Sequence, residues 1–199
     1  MIESEWWRGY ADLLPPWFTG YLAYEQAASS IETYETQFVP GLLQTADYAR
    51  AVVRLAHSDP EEIERRVELR MARSHRLLDS DGPTIAAVIN EAALVLPGLT
   101  EEQTRAQLDQ LTELDRRPTI TIGILPATPN GAAAQEPFTL LRFPEPASTG
   151  LVYLEQAANA RYVEEPEDVR RYAALFEQLS ADARPHHSSD DLQRLRERR

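Results

Sequence analysis

The sequence has 199 residues, of which 43% are hydrophobic, and this is enough for one folded domain with a buried core. Its 32 acidic and 20 basic residues give a net charge of −12, so we expect no direct nucleic-acid binding by this chain. It contains no cysteine, no apolar run of the roughly 20 residues that cross a membrane, and no signal-peptide pattern at its start. We therefore expect a cytoplasmic protein without disulfides and without membrane contact.

Several kinds of chemistry have no counterpart in the sequence. All basic residues are Arg, and without Lys there is no Schiff-base catalysis and no Lys-dependent phosphate loop. The G-x-S-x-G, H-E-x-x-H and G-x-G-x-x-G motifs are also missing. Two His residues at 186–187 precede two Asp residues at 190–191, but we interpret this segment as a solvated tail. We therefore predict no metal site and no cofactor.

The first 39 residues carry two helical patterns and one extended pattern. Residues 1–14 predict a short amphipathic helix that ends at Pro15-Pro16, and residues 17–30 predict a second helix. The pair Trp6 and Trp7 is interpreted either as part of the core or as an exposed interface. Residues 31–39 predict a strand or extended loop, with aromatic and β-branched side chains on one side and carboxylates on the other.

Two further helices are predicted before residue 80. Pro40-Gly41 breaks the extended pattern, and residues 42–56 then show helical periodicity with Gln44 and Tyr48 beside the break. Residues 59–78 predict a helix that Asp59 caps. Arg70 and Ser74 fall within its apolar stripe. Because an unpaired buried guanidinium is very costly, Arg70 requires a carboxylate or a ligand anion.

After residue 80 the pattern alternates between strands and helices. Strands are predicted at residues 84–90, 119–125, 138–143 and 151–156, helices at 101–115 and 166–179, and a loop at 126–137. The resulting fold class is α+β: a helical part (1–80) docks on a mixed sheet of three to five strands (81–180) in the same domain. Residues 181–199 are predicted to form a mobile or partly helical tail. A cleft is expected between the two parts.

One string supports a family resemblance. The segment TYETQFVPGLLQTADYARA, preceded by YLAYEQAASSI, resembles a domain of unknown function from actinobacterial helix-turn-helix regulators of the xenobiotic-response-element type. Later segments that resemble it are RVELRMAR, VINEAAL, ILP, PFTLLRFP and LVYLEQ, so the resemblance runs from about residue 6 to residue 179. In such regulators this effector-like domain follows the DNA-binding module, which has no counterpart here. Either the sequence is one part of a regulator or the domain works alone.

The candidate site combines arginines, carboxylates and tyrosines. A polar pocket floor would come from Arg70 and Arg73 together with Glu91 and Glu155, roofed by tyrosines. Alternatively, these four residues form a buried ion-pair network that fixes the helix against the sheet. The predicted ligand-binding residues are Tyr24, Glu25, Tyr34, Gln44, Tyr48, Arg70, Arg73, Ser74, Tyr153 and Glu155.

Two functions remain open from the sequence. The first is a sensor domain that binds a small-molecule ligand or a small partner protein, with a homodimer also open. The second is a stand-alone copy recruited as a cofactor-free cyclase or isomerase for a hydrophobic substrate, with His75, Glu91 and Glu155 as acid or base. The resemblance implies Gln at position 74 and a carboxylate at position 90. The Ser74 and Asn90 found here favour the second function, whereas the absence of any catalytic motif disfavours it, and we expect the first.

Overall fold

The computed structural model describes residues 6–78, 82–126, 136–144, 150–156 and 159–186. Its α-helices are α1 (Pro16–Ala27), α2 (Ala46–Val53), α3 (Pro60–Leu77), α4 (Glu101–Asp115) and α5 (Pro166–Asp182). Its strands are β1 (Ser30–Glu35), β2 (Thr84–Asn90), β3 (Ile120–Leu125), β4 (Phe138–Arg142), β5 (Leu151–Glu155), β6 (Ala160–Val163) and β7 (Arg184–Pro185). Short 3₁₀ helices span Trp6–Leu13, Gly41–Leu43 and Glu91–Leu94. These elements confirm the α+β class.

All the described strands belong to one mixed sheet of seven strands, in the order β6-β5-β4-β1-β2-β3-β7. Strands β1, β2 and β3 run parallel, whereas β4 pairs with the other side of β1 in the antiparallel direction. The predicted antiparallel pairing of β4 with β5 is confirmed. The prediction of three to five strands is wrong, because β6 and β7 add one short strand to each edge.

Helices cover both faces of the sheet, which makes three layers. On one face, α5 packs on a cluster that includes Tyr34, Leu140 and Val152. The other face carries the larger core, where side chains such as Ile31 and Tyr153 meet the remaining helices. Side chains alternate between the faces along each strand, so Glu35 shares the face of Ile31. The predicted segregation of carboxylates from apolar residues along β1 is therefore wrong.

Local signals explain where the helices begin. The Asp59 side chain accepts a hydrogen bond from the Glu62 backbone N–H and caps α3. Thr100 and Gln103 form a capping box at the start of α4. The predicted continuous helix over residues 42–56 is wrong. A 3₁₀ turn ends at Leu43, and α2 begins only after Thr45, whose side chain caps it by accepting from the Tyr48 N–H.

The ends of the described chain also differ from expectation. The first predicted helix is a 3₁₀ helix with Trp7 buried, which confirms the core interpretation for this residue. The first residues of the segment predicted to be a mobile or partly helical tail, from residue 181, belong to the folded part. Helix α5 continues to Asp182, β7 joins the sheet, and the buried His186 ring lies 2.9 Å from the Leu108 carbonyl oxygen. Residues 187–199, including the second predicted His and both Asp residues, lie outside the described part.

Within the described residues, no helix is both long enough and apolar enough to span a membrane.

Candidate functional site

A cavity of about 480 Å³ lies between the helical layer and the sheet. It is bounded by the carboxyl end of β1, the segment that follows it, α2 and α3, and the neighbouring ends of β4 and β5. This volume lies within the range of about 300 to 1,000 Å³ that is typical of small-molecule pockets. The position also fits, because ligands of mixed α/β sheets often bind beyond the carboxyl ends of strands.

Most of the wall is apolar, and several of its side chains are aromatic. The apolar and aromatic lining residues include Leu13, Leu14, Pro15, Phe18, Tyr21, Phe38, Val39, Val52, Val53, Ala56, Leu69, Pro137 and Phe138. The polar lining residues gather mainly on α3 and on the ends of β1 and β5. They include Glu35, Gln44, Arg70, Arg73, Tyr153 and Glu155. The cavity therefore has an apolar body and a polar floor.

Arg73 is fixed in the floor by an ion pair. Its Nε and Nη2 donate to the two carboxylate oxygens of Glu25 at 2.6 and 2.5 Å, and Glu25 also accepts from the Tyr21 hydroxyl at 2.8 Å. The guanidinium lies 5.3 Å from the ring centres of Phe18 and Tyr21. Burial alone would lower the pKa of Arg73, but the Glu25 carboxylate raises it above its usual value. Arg73 and Glu25 thus neutralise each other.

Arg70 differs from Arg73 because it forms no carboxylate ion pair with the described residues. Its Nη1 donates to Gln44 Oε1 at 2.7 Å. Gln44 is itself held by a hydrogen bond from Nε2 to the Val39 carbonyl, so the amide has one fixed orientation. Burial, and next the charge of Arg73, lowers the pKa of Arg70 to about 10. Arg70 is therefore a cation at neutral pH that faces the cavity.

The VPGLLQT segment forms one wall, and buried side chains hold its backbone. The Tyr48 hydroxyl accepts from the Val39 N–H at 3.1 Å and donates to the Ala93 carbonyl at 2.6 Å. Ser74 donates to the Leu42 carbonyl at 2.6 Å, and Gln107 donates to the Leu43 carbonyl at 2.9 Å. Groups that bond to the backbone in this way are positioned behind the wall. They shape the cavity without entering it.

Glu35, at the carboxyl end of β1, is an acid in an unusual environment. Burial, and next the charge of Glu155, raises the pKa of Glu35 to about 8, although Arg73 and Arg70 oppose the shift. The ordinary value is 4.5. At neutral pH the Glu35 carboxyl is therefore mostly protonated, and it presents a hydrogen-bond donor to the cavity. Glu155 lies on the same sheet face but is exposed at the cavity edge.

The Tyr153 hydroxyl is the unusual polar group of the floor. The residue is only 4% exposed, yet its hydroxyl forms no hydrogen bond of normal geometry with the described residues. Burial, and next the charge of Glu155, raises the pKa of Tyr153 well above its usual value, so the hydroxyl stays neutral. A buried hydroxyl without a partner costs roughly 1 to 3 kcal/mol. The hydroxyl oxygen has almost no accessible surface, so it is not reached from the cavity in this arrangement.

The structure brings together about half of the predicted site residues. Gln44, Arg70, Arg73, Tyr153 and Glu155 line the cavity, and Glu25 lies directly behind Arg73.

The other predicted residues lie elsewhere. Tyr48 and Ser74 support the wall, whereas Tyr34 packs on the opposite face of the sheet. Tyr24 is 39% exposed beside Phe143 and Tyr162.

Of the three residues predicted for catalysis, only Glu155 reaches the cavity. His75 is exposed outside its lining. Glu91 does not join Arg70 and Arg73 as predicted, because it accepts a hydrogen bond from Arg184 at 3.1 Å, away from the lining. Sequence reasoning missed Glu35 and the Phe18 and Phe38 walls. Glu35 lies four residues after the buried Ile31 and therefore points to the same face of β1. This spacing was the signal that could have identified Glu35.

Among the described residues, no group of three or more His, Asp or Glu side chains is arranged to hold a metal ion. Comparison with curated proteins and with solved structures found no match. A family model described as "Domain of unknown function (DUF5753)" matches residues 18–194, which include nearly every residue of the cavity. This chain belongs to that family.

Proposed function

We propose that this chain is a ligand-binding regulatory domain, related to helix-turn-helix regulators, in which a small molecule occupies the cavity. The observation that carries the proposal is Arg70, a cation on the floor of a pocket-sized cavity that forms no ion pair with the described residues. Native proteins rarely leave such a charge unpaired unless something else binds it.

The regulatory role follows from the elements that a ligand would connect. A molecule on Arg70 in this cavity would contact α3 and β5 at once, together with the VPGLLQT wall. Binding would favour the arrangement in which these elements are closest, at the expense of looser ones. A small partner protein or a second copy of the chain would detect that change. Because the chain has a net charge of −12, we propose that another module makes any DNA contact. We also propose a cytoplasmic location for the domain.

A second candidate function is catalysis without a cofactor, and Glu35 favours it. Its carboxyl is protonated at neutral pH inside a mainly apolar cavity, which suits a general acid for cyclisation or isomerisation. Incubation of the protein with the molecule that it retains distinguishes the two functions. A sensor returns the molecule unchanged, whereas an enzyme converts it to an isomer of equal mass with a different chromatographic retention time.

Filling the cavity tests the proposed function. A Cβ at Gly41 would lie 3.4 Å from Arg73 Nη1 and 3.8 Å from Arg70 Nη1, so the side chain of Gly41→Leu would occupy the polar floor. Gly9→Leu is the matched control, because a Cβ there meets nothing within 4 Å. The wild type and both variants are expressed in the host of the gene and analysed by native and denaturing mass spectrometry.

We expect the wild type and Gly9→Leu to retain the same small molecule, and Gly41→Leu to lose it while keeping its circular dichroism spectrum. If all three proteins carry no small molecule and instead co-purify with a small protein or as a dimer, the cavity is not the binding site and the proposal fails. Equal retention by Gly41→Leu and the wild type has the same meaning.

A further inference from the structure

The hydrogen-bonding groups of the floor identify the kind of ligand head group that fits. Arg70 uses one N–H in the bond to Gln44, and its other N–H groups form no hydrogen bond with the described residues. The Glu35 carboxyl adds a donor in its protonated form. Both side chains line the same cavity. A ligand group that accepts several hydrogen bonds would satisfy them together.

The charges of the floor favour an anion over a cation. Arg73 is neutralised by Glu25, and the Glu155 carboxylate is solvent-exposed at the cavity edge, which leaves Arg70 as a half-buried cation without an ion pair among the described residues. A carboxylate matches the planar guanidinium and accepts hydrogen bonds at both oxygens. An amine between Glu35 and Glu155 is the opposing arrangement. It would place a second cation near Arg70 and leave the guanidinium without an anion.

We propose that the cavity binds an amphipathic organic acid, with its carboxylate on Arg70 and its apolar body against Phe18 and Phe38. This inference rests on the proposed function and specifies the ligand class of the same site. A body the size of an aromatic ring with a short alkyl chain fits a cavity of about 480 Å³ with aromatic walls. Glu35 accommodates the acid in its protonated form and opposes it once ionised.

The test uses three probes that differ only in the head group: phenylbutanoate, phenylbutanol and phenylbutylamine. Their dissociation constants for the wild-type chain are measured at neutral pH by ligand-observed NMR titration. We expect phenylbutanoate to bind roughly tenfold or more tightly than the alcohol, and the amine to bind weakest, because one charge-assisted hydrogen bond is worth more than 1.4 kcal/mol. Tighter binding of the amine, or no binding of the acid at millimolar concentration, overturns the inference.

Variants assign the preference to the floor. Arg70→Gln removes the cation, and Arg170→Gln removes an equal charge from an exposed position on α5, on the opposite face of the sheet. The acid preference should vanish in Arg70→Gln and persist in Arg170→Gln, with both variants melting cooperatively. If Arg70→Gln does not fold, Arg70→Lys is the second variant: it keeps the charge but loses the planar fork, so it should weaken phenylbutanoate binding several-fold without changing binding of the alcohol. An unchanged acid preference in the folded variant contradicts the assignment.

The dependence on pH provides another readout. The charged and titratable groups whose electrostatic effects reach Glu35 are Glu155 on β5, Arg70 and Arg73 on α3, and Tyr48 on α2. Binding of phenylbutanoate should weaken as Glu35 ionises near pH 8, whereas Glu35→Gln should remove that weakening. A pH-independent wild type contradicts this part of the inference.

The failure of this inference is distinct from failure of the proposed function. If mass spectrometry finds a retained molecule that Gly41→Leu loses, and the molecule carries an amine or no charge, then the cavity binds a ligand but the acid assignment is wrong. If the cavity is empty in every protein and no probe binds, both conclusions fail.

Discussion

Glu35 gives the cavity a measurable effect on stability. Its pKa is about 8 in the folded protein, against an ordinary value of 4.5. Between these values the folded chain holds a proton that the unfolded chain has released, so stability falls as pH rises. The contribution is fully present below pH 4.5 and lost above pH 8. We expect Glu35→Gln, measured by urea denaturation, to gain stability relative to the wild type across this window, by up to about 1.4 kcal/mol per pH unit.

Other carboxylates titrate in the same range, so the informative quantity is the difference between wild type and variant. Glu164→Gln removes an exposed carboxylate and should reproduce the wild-type slope. If the Glu35→Gln curve stays parallel to the wild type from pH 5 to pH 9, the raised pKa is wrong, and so is the donor role of Glu35.

The ion pair between α1 and α3 acts at the scale of the elements. Glu25 is 1% exposed and neutralises Arg73 across 48 positions of sequence. Removal of one partner from such a pair leaves a buried charge without compensation, which costs about 3 to 5 kcal/mol. We expect Glu25→Gln to lower the free energy of unfolding in urea by about that amount. The matched control is Glu113→Gln, from an exposed pair with Arg116, where less than about 1 kcal/mol should be lost. Equal losses would show that the buried pair is not a principal contact of α1 with α3.

The elements also show how far the sequence could predict this fold. Strand β2 and helix α4 have the predicted boundaries, because the apolar run and the capping box are local signals. Strands β6 and β7 have four and two residues, which is too short for an alternating pattern to be recognised. For the site, the apolar stripe of α3 correctly marked Arg70 as an inward cation. Arg70 has no ion pair among the described residues because Glu25 pairs with Arg73 instead. That pairing depends on how α1 packs against α3, which a sequence pattern does not show.

At the scale of the whole molecule, the end of the described chain closes the sheet edge. Strand β7 pairs with β3, and the next residue, His186, is buried beside Thr112 of α4. A segment after α5 thereby connects the helix on one face of the sheet to a helix on the other. In this connection Ala183 lies close to β3 at Gly123. Glycine permits the close approach because it has no Cβ. A Cβ at Gly123 would lie 2.8 Å from the Ala183 Cβ.

This contact predicts that a second substitution restores stability lost through a first one. Gly123→Ala should destabilise the chain by about 1 to 3 kcal/mol, because neither backbone can retreat without breaking the β3–β7 pairing. Ala183→Gly alone removes one methyl group and should cost about 1 kcal/mol or less. Combining them moves the methyl group to the other side of the same contact, so the double variant should recover most of the stability lost in Gly123→Ala. Thermal and urea unfolding of the four proteins form a double-mutant cycle. Additive losses would mean that residues 123 and 183 are not in contact.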